Sequence, residues 1–460
     1  MVADTDWRTG SFGLPSSWRG PFDFVLENGL RVLFAQREKS PIVEFRFVVN
    51  GGFGTDRDRR IGLAGLAMAM FSEGLLRADN AQLGFALENL GAVLQGQLMP
   101  DAAVIGMSAL NANLAEPLSI YANALKHPQF NTEDFELLRA NRLALIASER
   151  LNPFELALRV LPPMVYGPGH IYARPLTGSG IERDVAEITC DDLRTYYATY
   201  LTPHCGTLIV AGSGETAQLR TQLEETFGQW RPIPGAALST PATGAIANAP
   251  SIMIINRCGA SQAALAAGLR TLARNSSRAE ALMVADTILG GIFTSRLNLS
   301  LRERKGWTYG VRSSLVDARL QGLWLIQTTV RTDCVAQTMA EIAGEIENLA
   351  GRRPSTPEEF SRAIDYLVAR IPSSYETCAQ MADAFAHVII YRLPIEYPKK
   401  LANWLRRLSP DDVTETCRQI LAAGSLRWMV VGEAAELFGQ LTVTIPGGIQ
   451  VVDSNSPGLP

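Results

Sequence analysis

The chain has no long apolar run and no dense stretch of basic residues. Its 460 residues contain 42 Lys and Arg against 46 Asp and Glu, which gives a net charge of −4. A nucleic-acid-binding protein is expected to carry a basic patch or stripe, so its absence excludes that class. No apolar run approaches the roughly 18 to 20 residues that span a bilayer, so we predict no membrane span. The 47% of hydrophobic residues is typical instead of a globular protein with a large core.

Cysteine and histidine are also scarce. The six cysteines are widely separated and form no C-x-x-C pair, which excludes a zinc knuckle and a dithiol redox motif, and we expect buried thiols. No two of the four histidines have the spacing of metal ligands, so we predict no zinc site and no cofactor in this chain. We expect His127, His170 and His204 in loops, and His387 on a helix surface or packed.

Several familiar catalytic and targeting motifs are absent. The chain has neither a G-x-S-x-G elbow nor a phosphate-binding G-x-x-x-x-G-K-[ST] loop. The amino terminus, MVADTDWRTG, lacks a basic segment followed by an apolar one, so no signal peptide is predicted. A mature exported chain that begins after its signal peptide would look the same.

The chain divides near its middle. Residues 231–250, RPIPGAALSTPATGAIANAP, have no helical or alternating apolar period and are rich in Pro, Ala and Gly, which predicts a linker. It would separate a first domain, 20–230, from a second domain, 251–445, followed by a tail, 446–460.

Two segments on either side of this linker repeat each other. ITCDDLRTYYATYLTPHCGTLIVAGSG (188–214) and LSPDDVTETCRQILAAGSLRWMVVGEA (408–434) align without a gap at an offset of 411 − 191 = 220. Each begins with an S/T-x-x-D cap, at Thr189 or Ser409, and continues through a helix into an apolar run that ends in Gly. The shared order and length indicate duplication, so we predict two homologous α+β domains.

Four motifs together suggest a known family. They are GLAGLAMAMFSEG (62–74), YGPGHIYARPLTGS (166–179), ITCDDLRTYYATYLTP (188–203) and SRLNLSLRERKGWTYGV (295–311). They resemble the pitrilysin/insulinase family of zinc peptidases, especially the bacterial members that split one active site between two chains, and also the mitochondrial processing peptidase subunits. The resemblance implies two similar domains, each a mostly antiparallel sheet backed by helices, that form half of a clamshell.

The zinc-binding motif of that family is degenerate here. Family enzymes carry H-x-x-E-H on a first-domain helix, where two histidines hold zinc and the Glu acts as general base. The corresponding positions in this chain are Gly65, Met68 and Ala69. The resemblance therefore implies that the chain cannot hold the family's zinc at this helix.

The family's third zinc ligand, a Glu on a later helix, is missing as well. Its position aligns with Leu145 or Ile146, both apolar. Glu149 lies a turn away, and we expect it to face solvent near the end of its helix. It would have no histidines with which to complete a metal site.

One pair of residues matches the family's substrate-binding element. Arg302 and Tyr309 are seven residues apart and follow Ser295-Arg296-Leu297, as the resemblance requires. A phenol aimed at the scissile carbonyl stabilises the charge that develops there, and a guanidinium can hold substrate carbonyls through several donors. We expect Ser295 and Arg296 to cap and orient the helix that carries Arg302. The alternative is that Arg302 is a surface charge and Tyr309 an ordinary strand aromatic.

The resemblance implies a subunit that is not an enzyme on its own. We expect a heterodimer with a homologous zinc-binding peptidase subunit that carries H-x-x-E-H and binds the zinc, with a peptide substrate held between the two chains. An alternative is a structural or peptide-binding pseudopeptidase subunit with no associated hydrolysis, and a third possibility is a stand-alone enzyme of unrecognised chemistry. By analogy with exported bacterial relatives we expect a periplasmic protein, with the cytoplasm as the alternative.

Overall fold

Two six-stranded sheets organise the protein. The computed structural model describes residues 20–72, 81–128, 130–231, 250–444 and 448–453. The first sheet consists of β1 Phe22–Val25, β2 Arg31–Gln36, β3 Ile42–Val49, β4 Val93–Leu98, β5 Ala103–Leu110 and β6 Gly206–Gly212. The second consists of β7 Ile252–Asn256, β8 Gln262–Arg270, β9 Thr308–Val316, β10 Leu323–Arg331, β11 Arg427–Gly432 and β12 Ile449–Asp453.

Fifteen α-helices accompany the sheets in the described ranges. Those of the first half are α1 Leu63–Ser72, α2 Ala81–Asn89, α3 Ala115–Lys126, α4 Thr132–Leu151, α5 Pro153–Tyr166, α6 Glu182–Glu187, α7 Cys190–Tyr200 and α8 Thr216–Phe227. Those of the second are α9 Ala279–Asp286, α10 Val335–Glu347, α11 Pro357–Arg370, α12 Cys378–Ile390, α13 Tyr397–Arg407, α14 Pro410–Ile420 and α15 Ala434–Thr444. Across the described ranges, every helix is too short or too polar to cross a lipid bilayer.

The two sheets share the order and direction of five of their six strands, which confirms the predicted α+β fold. Their orders are β1-β2-β6-β3-β5-β4 and β12-β7-β11-β8-β10-β9, and most neighbouring strands are antiparallel. Strands β8 and β10 begin 220 residues after β3 and β5, since 262 − 42 and 323 − 103 both equal 220. Helices α7 and α14 both begin with the predicted capping boxes, built by Thr189 with Asp192 and by Ser409 with Asp412.

The halves differ in the strand that completes each sheet. Strand β1 comes from the amino-terminal end and pairs antiparallel with β2, whereas β12 comes from the carboxyl-terminal end and pairs parallel with β7. Residues 449–453, which we assigned to a tail, therefore extend the second sheet. Residues 232–249 of the predicted linker lie outside the described part of the chain, and the domain boundaries remain predictions.

One helix of each half packs on the sheet of the other half. Helix α5 packs on the second sheet, where Leu161 and Val160 belong to one apolar cluster with Met429 of β11. Helix α12 packs on the first sheet in the same way, with Phe385 against Ile209. The opposite face of each sheet packs on the helices of its own half. The exchange buries both faces of each sheet and joins the halves through apolar contacts.

Candidate functional site

Helix α1, which carries the degenerate zinc motif, is closed off by the loop before α6. A Cβ atom at Gly65 would lie 2.5 Å from the carbonyl oxygen of Gly178. Met68 and Ala69 are buried in the first core. All three motif positions are therefore tightly packed. Position 65 has no space for an imidazole, and the residues at positions 68 and 69 are not zinc ligands. Among the described residues, no group of three or more His, Cys, Asp or Glu is arranged to hold a metal ion.

Glu149 is buried, so our expectation of a solvent-facing side chain is wrong. Its carboxylate accepts hydrogen bonds from Arg159 Nη1 and Ser179 Oγ, both at 2.6 Å, and from Thr177 Oγ1 at 3.2 Å. Burial lowers the pKa of Arg159, and the hydrogen bond with Glu149 acts in the opposite direction. Glu149 is buried because its charge is paired with that of Arg159 on α5. The ion pair holds the loop that covers Gly65.

A second buried carboxylate fixes the start of α1. Asp56 accepts hydrogen bonds from the backbone amides of Gly62, at 2.7 Å, and Ala64, at 2.9 Å. Burial raises the pKa of the Asp56 carboxyl to about 7, although these two hydrogen bonds and Arg174 act to lower it. Gly62 directly precedes α1 and Ala64 belongs to its first turn, so Asp56 supplies an acceptor that the helix itself lacks at this end.

Arg302 lies on a π-helical turn, Asn298–Arg304. The side chains of Arg296 and Asn298 connect this turn to neighbouring elements. Arg296 donates to Glu359 Oε2 at 2.7 Å and to the carbonyls of Arg353 and Pro354, which links the turn to α11. Arg296 therefore orients this segment, as predicted. Ser295 does not cap it: no side chain caps the turn, and the Ser295 hydroxyl accepts from Asn298 Nδ2 at 3.2 Å.

Asn298 joins this turn to strand β9. Its side-chain amide donates to the carbonyl of Val311 and accepts from the Val311 amide, both at 2.9 Å. The guanidinium of Arg302 lies 4.1 Å from the centre of the Phe293 ring, and its side chain is 33% exposed. A cation–π contact of this kind restrains the guanidinium. Its Nε also lies 3.6 Å from Glu303 Oε1, whereas its two terminal nitrogens have no hydrogen-bond partner among the described residues. Arg302 is therefore more ordered than an isolated surface charge.

Tyr309 projects from a β-bulge at the edge of the second sheet. Thr308 is opposite Val330 and Val311 is opposite Thr328, so β9 has one more residue than β10 over this stretch. The extra residue turns the phenol outward, and Tyr309 is 93% exposed. An ordinary strand aromatic would be packed against neighbours, so the exposure argues against that alternative.

Threonine hydroxyls satisfy the backbone of the bulge. Thr328 Oγ1 donates to the Gly310 carbonyl at 2.9 Å, and the Gly310 amide donates to Thr308 Oγ1 at 3.1 Å. The two hydroxyls are 2.8 Å apart. This support was not predicted from the sequence, because its signal, Thr-Tyr-Gly at the start of a strand with Gly at the bulge, is weak.

Arg302 and Tyr309 lie on the two sides of one chain reversal. The Trp307 amide donates to the Leu301 carbonyl at 3.0 Å and closes it. No hydrogen bond or ring contact joins the two side chains within the described ranges. Both residues belong to the second half, Arg302 on the π-helical turn and Tyr309 on β9, whereas the degenerate zinc positions lie in the core of the first half, so this chain does not bring them together in one site.

The histidines and cysteines differ in how deeply they are buried. His127 and His204 are exposed in loops, and His170, also in a loop, is buried with its ring stacked on Tyr166. His387 on α12 contacts Asp317 at 3.1 Å. All six cysteines are free, but only three are buried and Cys258 is exposed, so our expectation of buried thiols is wrong for half of them.

Comparisons with known proteins agree with these observations. Residues 187–367 match the family model described as the peptidase M16 inactive domain. An uncharacterized zinc protease of Mycobacterium tuberculosis (strain CDC 1551 / Oshkosh) is 26% identical over 344 residues, which are 73% of this chain and 76% of the relative. One of Mycobacterium leprae (strain TN) is 27% identical over 335 residues, 71% and 73% of the two chains.

Solved structures share the fold over most of the chain. The peptidase M16 inactive domain from Pseudomonas fluorescens superposes with a TM-score of 0.80 at 21% identity, and covers 90% of this chain and 98% of its own. A protease from Helicobacter pylori gives a TM-score of 0.77 at 16% identity, with 89% and 99% covered. Together with the matched motifs, the model match over residues 187–367 and the curated relatives relate this chain to the pitrilysin/insulinase peptidases, and the solved structures show that it shares their fold.

Proposed function

We propose that this chain is the non-catalytic subunit of a heterodimeric zinc metalloendopeptidase. The observation that carries the proposal is the exposed phenol of Tyr309 on a bulge where Thr308 and Thr328 form hydrogen bonds with the amide and the carbonyl of Gly310. A large aromatic side chain held in water contributes little to the fold, because it buries almost no apolar area. The exposure of the Tyr309 phenol and the hydrogen bonds of the bulge that carries it are those expected of a side chain that binds a ligand.

In the assembled pair, Tyr309 donates its O–H to the carbonyl oxygen of the scissile peptide bond. The oxygen gains negative charge as the tetrahedral intermediate forms, so this hydrogen bond is stronger in the transition state than in the ground state. Arg302, restrained by Phe293, holds carbonyl groups of the same peptide through its remaining N–H groups.

The zinc belongs to the partner in this proposal. Gly65 and the loop above it leave no room for a ligand on α1, so the residues of this chain do not fit the metal. The partner is a homologous subunit with H-x-x-E-H, whose zinc would supply an activated water when bound. The second sheet of this chain faces that site, with the peptide enclosed between the two half-clamshells.

We place the pair in the periplasm, with the cytoplasm as the alternative. This rests on the analogy with exported bacterial members of the family stated above.

A co-purification from the native host tests the proposal. The tagged chain is expected to recover a protein of similar size that contains H-x-x-E-H, and the recovered pair is expected to cleave unstructured peptides until a zinc chelator is added. Recovery of the partner without peptidase activity would favour the pseudopeptidase alternative. Peptide cleavage by the purified chain alone that survives chelator would instead favour a stand-alone enzyme.

A further inference from the structure

A cavity of about 650 Å³ lies where the two halves meet. The first half contributes the loop 50–58, the turn at Pro100 and Asp101, and Arg174, while the second contributes Arg319, Leu320, Tyr391 and Arg392. This volume is within the range of roughly 300–1,000 Å³ found for small-molecule sites. Its wall combines apolar surface with several charged groups.

The acidic groups of the cavity are already engaged within the protein. Both oxygens of Asp56 accept backbone amides of α1, as described above. Asp101 accepts from the Tyr172 hydroxyl at 2.5 Å through one oxygen and from the Arg319 amide at 2.8 Å through the other. Asp58 pairs with Arg174 at 3.0 Å, but its side chain is 82% exposed to water. These carboxylates therefore have little remaining capacity to accept hydrogen bonds from groups inside the cavity.

The basic groups are only partly matched: Arg174 Nη2 donates to Asp58 Oδ1 at 3.0 Å and to the Asp56 carbonyl at 3.4 Å. Arg174 is only 8% exposed, and its Nε has no hydrogen-bond partner in the part of the chain that the structure describes. Arg57 and Arg392 are exposed at the rim and form no side-chain hydrogen bond or ion pair with any described residue. Arg319 uses its Nε to donate to the Ile390 carbonyl, and no described residue accepts from its two terminal nitrogens.

An arginine nitrogen buried without an acceptor is costly, and natural proteins rarely leave one unless a ligand or water supplies the acceptor. Four guanidinium groups around one cavity form a matched set of donors for an oxyanion, because each can bind carboxylate or phosphate through two parallel N–H groups. The side chains of Ile171, Leu320 and Tyr391 offer apolar contacts to the body of a ligand.

We propose that this cavity is a binding site for a small organic anion that carries carboxylate or phosphate groups. Its donors are Arg174 in the interior and Arg57, Arg319 and Arg392 around the mouth. Because these residues come from both halves, a bound anion connects the halves and stabilises their relative position.

This site is separate from the peptide site proposed above. Tyr309 lies near the start of β9, while Arg319 follows the end of that strand at Val316. Seven residues of extended chain between Tyr309 and Val316 span about 23 Å. Binding in the cavity therefore needs neither a partner subunit nor a peptide.

Thermal denaturation and titration calorimetry of the purified full-length chain test the proposal. The probes are inorganic phosphate and citrate, each compared with sodium chloride at the same ionic strength. At least one probe is expected to raise the Tm of the wild-type chain and to bind with one-to-one stoichiometry. Phosphate alone would identify phosphate as the recognised group, and citrate alone would identify carboxylate.

Arg392→Asn and Arg57→Gln are the test variants, because both side chains are exposed and support no described contact. Loss of one charge-assisted contact is expected to weaken binding on the order of tenfold or more. Arg59→Asn is the matched control for Arg392→Asn: Arg59 is also exposed with a positive φ, 67° against 54°, but does not line the cavity. Absence of binding by both probes, or equal affinity in Arg392→Asn and Arg59→Asn, would overturn the proposal.

Discussion

The carbonyl oxygen of Gly178 lies 2.5 Å from the place that a Cβ atom would take at Gly65. Position 65 is where the family's first zinc-binding histidine would stand. At this position the chain therefore lacks the space for a side chain as well as the ligand, because the loop before α6 packs directly on the helix backbone. Arg142 reinforces the closure by donating to the Gly65 carbonyl at 3.1 Å.

We expect Gly65→Ala to destabilise the protein by about 1–3 kcal/mol, because the added methyl group collides with backbone. Gly344→Ala on α10 is the control, since a Cβ there meets no atom within 4 Å. In a helix interior that change is expected to stabilise by up to about 1 kcal/mol. Urea denaturation measures both variants, and an equal effect of the two substitutions would mean that the loop does not close over α1.

The same closure predicts that the zinc motif cannot be restored by substitution alone. A variant with Gly65→His, Met68→Glu and Ala69→His is expected to be less stable than Gly65→Ala. It is also expected to bind no stoichiometric zinc by metal analysis after dialysis. Tight binding of one zinc ion would show that the loop is displaced at little cost.

The buried ion pair between Glu149 and Arg159 provides a further prediction. Glu149→Gln leaves the guanidinium of Arg159 without its charge partner inside the protein, so we expect a loss of about 3 kcal/mol in the free energy of unfolding. Glu182→Gln breaks the more exposed pair with Arg150 and is expected to cost less than about 1 kcal/mol. Comparable losses in the two variants would contradict the structural role given to Glu149.

Much of the fold could be predicted because its signals are local. The capping boxes at Thr189 and Ser409 and the apolar runs behind them involve neighbouring residues, so the repeat could be recognised before the sheets were known. Glu149 could not be placed in this way. Its partner Arg159 is on another helix, and only the angle between α4 and α5 brings the charges together. The pairing of β12 depends in the same way on contacts distant in sequence.

The candidate site likewise has some features that local sequence predicts and others that depend on contacts between distant segments. Arg302 and Tyr309 could be selected from their spacing and neighbours, whereas the bulge at Tyr309 depends on the register between β9 and β10. The inter-half cavity was not predicted at all. Its arginines are far apart in the sequence and have no motif in common, so only the packing of the two halves reveals them.

Asp56 predicts an unusual dependence of stability on pH. Its pKa in the folded protein is about 7, above the ordinary aspartate value of about 3.9. Between these values the folded state binds more protons at this group than the unfolded state, so its contribution to stability falls as the pH rises. From pH 5 to pH 7 the loss is about 2 kcal/mol. Asp56→Asn is expected to remove this part of the slope, as measured by urea denaturation at several pH values.

Asp412 is the control for that experiment, since it also caps a helix but has a pKa lowered by its bonds with Ser409. Its contribution is lost only as the pH falls below the ordinary range of an aspartate, so Asp412→Asn is expected to leave the slope between pH 5 and pH 7 unchanged. If Asp56→Asn also left that slope unchanged, burial would not raise the Asp56 pKa as described.

The exposed phenol of Tyr309 provides the most direct test of the proposed function. Tyr309→Phe is expected to lower the kcat of the assembled pair by a factor on the order of 10², the effect of losing one donor to the developing oxyanion. Neither the stability of the chain nor its assembly is expected to change, because the hydroxyl has no described partner. Tyr366→Phe removes a hydroxyl that accepts a hydrogen bond from Arg370 Nη1 and is the control. An unaltered kcat in Tyr309→Phe would exclude the role given to it.

Thr328 is a positioning residue in this scheme, because its hydroxyl supports the bulge through the Gly310 carbonyl. Thr328→Val keeps the shape of the side chain but removes that bond, so the phenol of Tyr309 is expected to be less well ordered and kcat to fall. The decisive comparison is the double variant with Tyr309→Phe. If Thr328 acts only through the phenol, the substitution lowers kcat in the wild-type background and has no further effect once the hydroxyl is gone. Equal effects in both backgrounds, measured as kcat of the assembled pair, would mean that Thr328 acts on the sheet as a whole and not on the placement of Tyr309.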